Sequence, residues 1–130
     1  MACLDSDILV ALLRGDDGAV EKISVLESSG PVSTTPVNAT ELFKGAYRSE
    51  QWKENVVQVK ELLSNIRLLT YDIESARIAA QIMESLRKDG QNIGDMDCII
   101  AGMAVSHGET LITRNTKHFK LIPELKIEKW

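Results

Sequence analysis

Four very short apolar stretches, each separated from the next by helix-patterned sequence, constrain the fold of this chain more than any other feature. Ala2-Cys3-Leu4, Val32-Ser33-Thr34, Arg67-Leu68-Leu69 and Thr110-Leu111-Ile112-Thr113 each read as a strand of three or four residues. No tight turn joins one of them to the next, so they cannot be successive arms of hairpins. Each connection is long enough for one or two helices, which is the βαβ arrangement and predicts an α/β fold with a largely parallel sheet. Lys126-Ile127-Glu128 reads as a further edge strand.

The connecting segments carry helix signals of their own. Ser6 to Leu13 reads as a helix stopped near Gly15, and Asp17 to Glu27 as another that ends before Gly30-Pro31. Thr35-Pro36 has the form of an N-cap followed by proline at the first helical position. Behind it Ala39, Leu42, Phe43 and Ala46 fall at i, i+3, i+4 and i+7, one helical face. A helix is expected from Gln51 to Leu63. Asp72 caps the next, with a stripe of Ala76, Ala79, Ala80 and Met83 and a stop at Gly90. The last long helix runs from about Met96 to His107, closed by Gly108, with His107 suited to the negative end of its dipole.

The chain has 130 residues, enough for one domain spanning 1–130 and too few for two ordinary ones. Aromatic residues make up only 5%, so the core must be built from aliphatic side chains. A net charge of −4 argues against a broad nucleic-acid-coating surface but leaves room for a local basic rim. Cys3 and Cys98 lie in apolar stretches and form no disulfide framework; they read as buried thiols in a reducing compartment. No apolar run reaches membrane-spanning length and no leader pattern opens the chain, so a soluble cytoplasmic protein is expected.

Chemistry is carried by carboxylates. In parallel sheets, ligands gather at the carboxyl ends of strands. Asp5 and Thr113 end their strands there, and the helix bearing Glu41 starts at that edge. Asp5 alone equally fits a strand-end cap for the next helix. Asp95 and Asp97 open a helix that is apolar on every side (Cys98 to Val105), hence a buried one. Two residues apart, they point about 200° from each other and cannot share a role. Asp95 follows Gly94, where a capping residue belongs; Asp97 then points elsewhere, and a buried carboxylate needs a partner, hydrogen bonds or a metal. Glu41 lies opposite its own helix's apolar stripe, with Lys44 and Arg48, which also fits a solvated glutamate.

Converging carboxylates are hard oxygen ligands suited to Mg²⁺ or Mn²⁺, ions that polarise phosphoryl oxygens and activate water. Neither His107 nor His118 shows metal-ligand spacing with a cysteine, and no Gly-rich phosphate loop or Gly-x-Ser-x-Gly elbow occurs.

Three ordered motifs then carry a resemblance. Leu4-Asp5-Ser6-Asp7-Ile8-Leu9 with Leu12-Leu13-Arg14-Gly15, the central Asn38-Ala39-Thr40-Glu41-Leu42, and Asp97-Cys98-Ile99-Ile100-Ala101 with Thr110 to Asn115 resemble the PIN-domain family. The set looks most like the VapC-type toxins of toxin–antitoxin modules, and the ending through His118-Phe119 to Trp130 matches that subgroup. The resemblance implies a three-layer α/β/α domain with an acidic cleft. It implies a Mg²⁺- or Mn²⁺-dependent endoribonuclease, commonly a homodimer held inactive by a cognate antitoxin. Asp5, Glu41 and Asp97 match the metal-binding acids, and Asn115 stands at a fourth position that is often Asp. Ser6 and Thr113 match positions that orient the acids. Asp7 stands where Asn, Ser or Thr is common, and Asp95 matches no core position. Arg14, Arg48, Arg114 and Lys117 are candidates for holding the RNA backbone.

Two alternatives stay open at this level. Asp5-Ser6-Asp7 with Gly94-Asp95 mimics a haloacid-dehalogenase-like phosphatase, with Asp5 as nucleophile and Asp7 as general acid. A catalytically inactive PIN domain serving only as a binding module is the other.

Overall fold

A computed structural model describes all 130 residues. Five strands form one sheet: β1 (Ala2–Leu4), β2 (Ser33–Thr34), β3 (Arg67–Leu68), β4 (Thr110–Ile112) and β5 (Lys126–Glu128). Their order is β3-β2-β1-β4-β5, and every ladder is parallel. Seven helices connect them: α1 (Ser6–Leu13), α2 (Asp17–Glu27), α3 (Pro36–Arg48), α4 (Trp52–Ser64), α5 (Ile73–Lys88), α6 (Asp95–Ser106) and the single turn α7 (Thr116–Phe119).

Side chains alternate across the sheet, as the two-residue period of a strand requires. Cys3 and Leu111 enter one apolar cluster with Ile82 and Leu86 of α5 and Ile100, Ala101 and Ala104 of α6. Leu4 and Ile112 enter the other with Ile8 and Leu9 of α1, Leu42 of α3 and Val59 of α4. The sheet is therefore covered on both faces, which gives three layers. No helix is long and apolar enough to cross a membrane.

The chain works outward from β1 to β2 and β3, then returns to lay β4 on the opposite side of β1. This reversal leaves a crevice at the carboxyl ends of β1 and β4, where such sheets bind ligands.

Three features depart from the periodicity reading. On α5 the buried face is Ser75, Ala79, Ile82 and Leu86, and Ala80 is exposed, so the true stripe is rotated from the expected one. The rotation lets α5 lie directly on α6: a Cβ built on Gly102 would come within 2.8 Å of both Ala79 Cβ and Ser75 O. On α3 the buried positions are Asn38, Leu42 and Ala46, whereas Ala39 and Phe43 are half-buried. At the start of α6, Gly94 is the N-cap with φ +91°, and no side chain caps the helix. Asp95 is the first helical residue and is exposed, so the expected cap by its carboxylate is not made. Glycine alone adopts that φ freely.

Candidate active site

Strand register places the first two site residues. Leu4 pairs with Ile112, so Asp5 and Thr113 leave the sheet side by side, and Asp5 N donates to Ile112 O at 3.0 Å. Asp5 is 8% exposed. Its Oδ1 accepts from Ser6 N (2.8 Å) and Asn38 Nδ2 (2.9 Å), and its Oδ2 from Thr113 Oγ1 (2.7 Å). Asp5 thus does cap α1, as the capping alternative held, but it is also held by two other elements.

Asn38 comes from the first turn of α3 and faces the sheet. Its Oδ1 accepts from Thr35 Oγ1 at 2.7 Å, which fixes the amide so that its donor end meets Asp5. The same Nδ2 lies 2.9 Å from Ser6 Oγ, and Ser6 Oγ donates to Glu41 Oε1 at 2.9 Å. Asn38 and Glu41 are three residues apart and share one side of α3. Glu41 is half-buried and makes no ion pair with Lys44. The solvated-glutamate alternative is therefore corrected: Ser6 joins the two acids, its backbone N donating to Asp5 and its hydroxyl to Glu41.

Asp97 extends from the first turn of α6 with 22% of its side chain exposed. His118 Nδ1 lies 3.0 Å from its Oδ2 and 3.1 Å from Asn115 Nδ2. With a proton on Nδ1 the ring donates to Asp97; without one it accepts from Asn115. Asn115 N also donates to Thr113 Oγ1 at 2.9 Å, tying this branch back to Asp5.

Asp7 is engaged by two donors, Trp130 Nε1 (3.0 Å) and Arg114 N (2.8 Å), and lies 3.3 Å from Thr113 Oγ1, whose one proton goes to the nearer Asp5. Of the four cations proposed for RNA, Arg14 caps the end of α1, Arg114 follows Thr113, Lys117 lies on α7 and Arg48 ends α3 two turns beyond Glu41. All four are exposed and none makes an ion pair.

Burial pushes the Asp5 carboxyl up to about 6, and the Asp7 charge adds to the shift. The hydrogen bonds from Thr113, Ser6 and Asn38 oppose it only in part. A buried carboxylate so placed lacks a compensating cation.

Sequence patterns missed Asn38, His118 and Trp130. Asn38 had a signal, the Thr35–Asn38–Glu41 spacing of three. His118 stands three residues after Asn115, a weaker one. Trp130 had none, since its partner Asp7 is 123 residues away.

The match to known proteins covers the same ground. Residues 2–125 match the model of the PIN domain. The chain belongs to the PIN-domain family. It is 30% identical over 127 residues to the tRNA(fMet)-specific endonuclease VapC of Shigella flexneri, covering 98% of this chain and 96% of the relative. It is 33% identical over 129 residues to ribonuclease VapC of Rickettsia bellii, covering 95% and 92%. Among solved structures, VapBC2 of Rickettsia felis bound to a promoter DNA fragment superposes with a TM-score of 0.93 at 25% identity, covering 99% of this chain and 98% of that one. DNA-bound VapBC of Salmonella typhimurium gives 0.90 at 28%, covering 99% and 97%. The PIN-domain assignment displaces the phosphatase alternative. Asp7, its required general acid, is in any case engaged by Trp130 Nε1 and Arg114 N.

Proposed function

We propose that this PIN domain is a divalent-metal-dependent endoribonuclease, the toxin of a VapBC-type pair, with Asp5, Glu41 and Asp97 as its catalytic, metal-binding acids. The observation that carries it is the Asp5 carboxylate: buried at the crevice between β1 and β4, without a cationic neighbour, and joined through Ser6 to Glu41. The near-full-length likeness to proteins named VapC ribonucleases supports the substrate class. The solved complexes named VapBC support an antitoxin partner.

The donor set fits Mg²⁺ or Mn²⁺ in kind. Three of the four acceptor positions of Asp5 are used, leaving one on Oδ2. Glu41 Oε2 and Asp97 Oδ1 accept no hydrogen bond. No group of three or more His, Cys, Asp or Glu is placed to hold a metal ion by itself. Mg²⁺ does not need one, because it keeps several waters and takes one or two carboxylates together with substrate phosphate. When bound, such an ion supplies Lewis acidity to a phosphoryl oxygen and lowers the pKa of water.

The chain's own residues do the positioning. Thr113 and Asn38 clamp the two oxygens of Asp5, and Ser6 fixes the spacing between Asp5 and Glu41. With its proton on Nδ1, His118 donates to Asp97, and Asn115 Nδ2 lies beside the same ring nitrogen. Ser6, Thr113 and Asn115 thus support the acids, and Arg14, Arg48, Arg114 and Lys117 are the cations for the RNA backbone. A cytoplasmic homodimer completes this reading; light scattering of the purified chain checks the dimer.

Incubating the purified chain with total RNA in Mg²⁺ or Mn²⁺, with a chelator as control, tests the activity. Cleavage that stops with chelator and in Asp97→Asn is expected. Wild-type cleavage rates in Asp97→Asn would refute the assignment, and the inactive binding module would take its place if neither protein cut RNA.

A further inference from the structure

The six arginines divide by what they touch. Arg67, Arg77 and Arg87 are paired with Glu109, Glu74 and Glu84. Arg14, Arg48 and Arg114 have no acidic partner. Arg114 is nevertheless immobilised. Its guanidinium lies 3.5 Å from the centre of the Trp130 ring, and its Nε donates to the Trp130 carbonyl at 3.1 Å. Its backbone N donates to Asp7, whose other oxygen accepts the Trp130 indole N–H. The four N–H bonds on its two terminal nitrogens remain uncommitted.

We propose that Arg114, laid on Trp130, forms with Arg14 a subsite for a backbone phosphate of the RNA, beside the acidic centre. Both arginines line one cleft of about 460 Å³, with Ser6, Asp7, Asp16 and Trp130 also in its wall. The two acids in that wall each accept local N–H groups. Asp7 accepts from Trp130 Nε1 and Arg114 N, and Asp16 Oδ1 accepts from Ala19 N as the cap of α2. Ser6 connects the cleft to Glu41, and Thr113 connects Asp7 to Asp5, so a phosphate held here adjoins the reacting one. Guanidinium suits the task because its planar fork meets two phosphate oxygens at once. Trp130 is then a positioning residue: stacking and the carbonyl bond fix the fork before RNA arrives, so less freedom is lost on binding. The subsite rests on the ribonuclease reading for the source of its phosphate.

The test is binding of a labelled single-stranded oligoribonucleotide to the full chain in chelator, followed by anisotropy across a salt series. Arg114→Ala and Trp130→Leu are each expected to weaken binding about five- to tenfold. The double variant should bind no more weakly than Arg114→Ala, since both changes remove one device. Arg114→Ala should also flatten the slope of log K against log salt by about 0.7. Arg114→Lys, which keeps the charge and loses the flat fork, should still weaken binding. Should Trp130→Leu fold poorly, Trp130→Phe keeps the aromatic face, loses the bond to Asp7 and is expected to show an intermediate loss. Additive losses, unchanged affinity or slope in Arg114→Ala, or no binding by the wild type each overturn the subsite. RNA that is bound but never cut with Mg²⁺ or Mn²⁺ overturns the ribonuclease reading and leaves the subsite standing. RNA that is cut while all variants bind as wild type does the reverse.

Discussion

Replacing Asp5 by asparagine should make the metal-free protein more stable while abolishing its activity. The carboxyl titrates near 6 in the folded chain against its usual 3.8, because burial penalises the charge. A raised folded pKa means that the native state holds its proton more tightly than the unfolded chain does. Stability therefore falls as pH rises between about 4 and about 6, and the full cost is present above 6. A shift of about two pKa units corresponds to about 3 kcal/mol. Asp5→Asn removes the charge yet keeps an oxygen for Ser6 N and Asn38 Nδ2. Its new amide N–H meets Thr113 Oγ1, whose hydroxyl must turn to accept, so part of the gain is lost. The expected net is about 1–3 kcal/mol at pH 7.5, or about 4–12 °C in Tm for a chain of this size. Below pH 4 the difference should vanish, because wild-type Asp5 is then protonated. Saturating Mn²⁺ should narrow the gap at pH 7.5 by stabilising only the wild type, by about 2.7 kcal/mol at a hundred times Kd. Thermal melts of both proteins in chelator, from pH 3.5 to 8, decide the matter. A variant less stable than wild type at pH 7.5, or a gap independent of pH, would refute the electrostatic account of Asp5.

Other parts of the structure give sharper single tests. Asn38→Ala removes one donor to Asp5 and the fixed contact to Ser6. It should weaken Mn²⁺ binding and lower RNA cleavage about tenfold or more with the fold intact, as read by calorimetry and circular dichroism. Gly102→Ala should destabilise by about 1–3 kcal/mol in urea titration, outweighing the roughly 1 kcal/mol of helix propensity it adds, because the new methyl meets α5 backbone at 2.8 Å. Arg67→Leu strips Glu109, 4% exposed, of its 2.5 Å partner and leaves only the Met1 ammonium 3.6 Å away; a loss of about 1–3 kcal/mol is expected, and an unchanged midpoint would show that the amino group suffices. Asn115→Asp adds a negative charge next to the Asp97–His118 pair and should tighten Mn²⁺ severalfold; weaker binding in titration would place residue 115 outside the metal's reach.

The fold was legible because its determinants are local and repeated. Short strands with helical connections leave a parallel sheet as the sensible topology, and Thr35-Pro36, Asp72, Gly90 and Gly108 mark helix ends by known stereochemistry. Hydrophobic periodicity served less well wherever a buried face was not hydrophobic. Asn38 and Ser75 are fully buried, so stripes drawn through apolar residues came out rotated on α3 and α5. On α3 the error had a consequence: centring the stripe on Ala39 and Phe43 turned Glu41 toward solvent, whereas centring it on Asn38 and Leu42 brings Glu41 to the edge of the buried face.

The same reasoning explains which parts of the site were visible beforehand. Asp5 and Thr113 could be paired from topology, since adjacent parallel strands deliver their following residues together. Asp95 and Asp97 do take different surroundings at the start of α6, though capping is not the reason. Gly94 at φ +91° starts the helix, and what distinguishes Asp97 is that its side of α6 faces His118. Contacts such as Trp130 with Asp7 join chain ends through a single indole N–H, and no spacing rule encodes them. Of the candidate acids, Asp5 is tied to a strand end and Asp97 to a helix start, so sequence reveals those two. The groups that hold those acids and their ligands in place come from wherever the fold happens to return, and structure has to supply them.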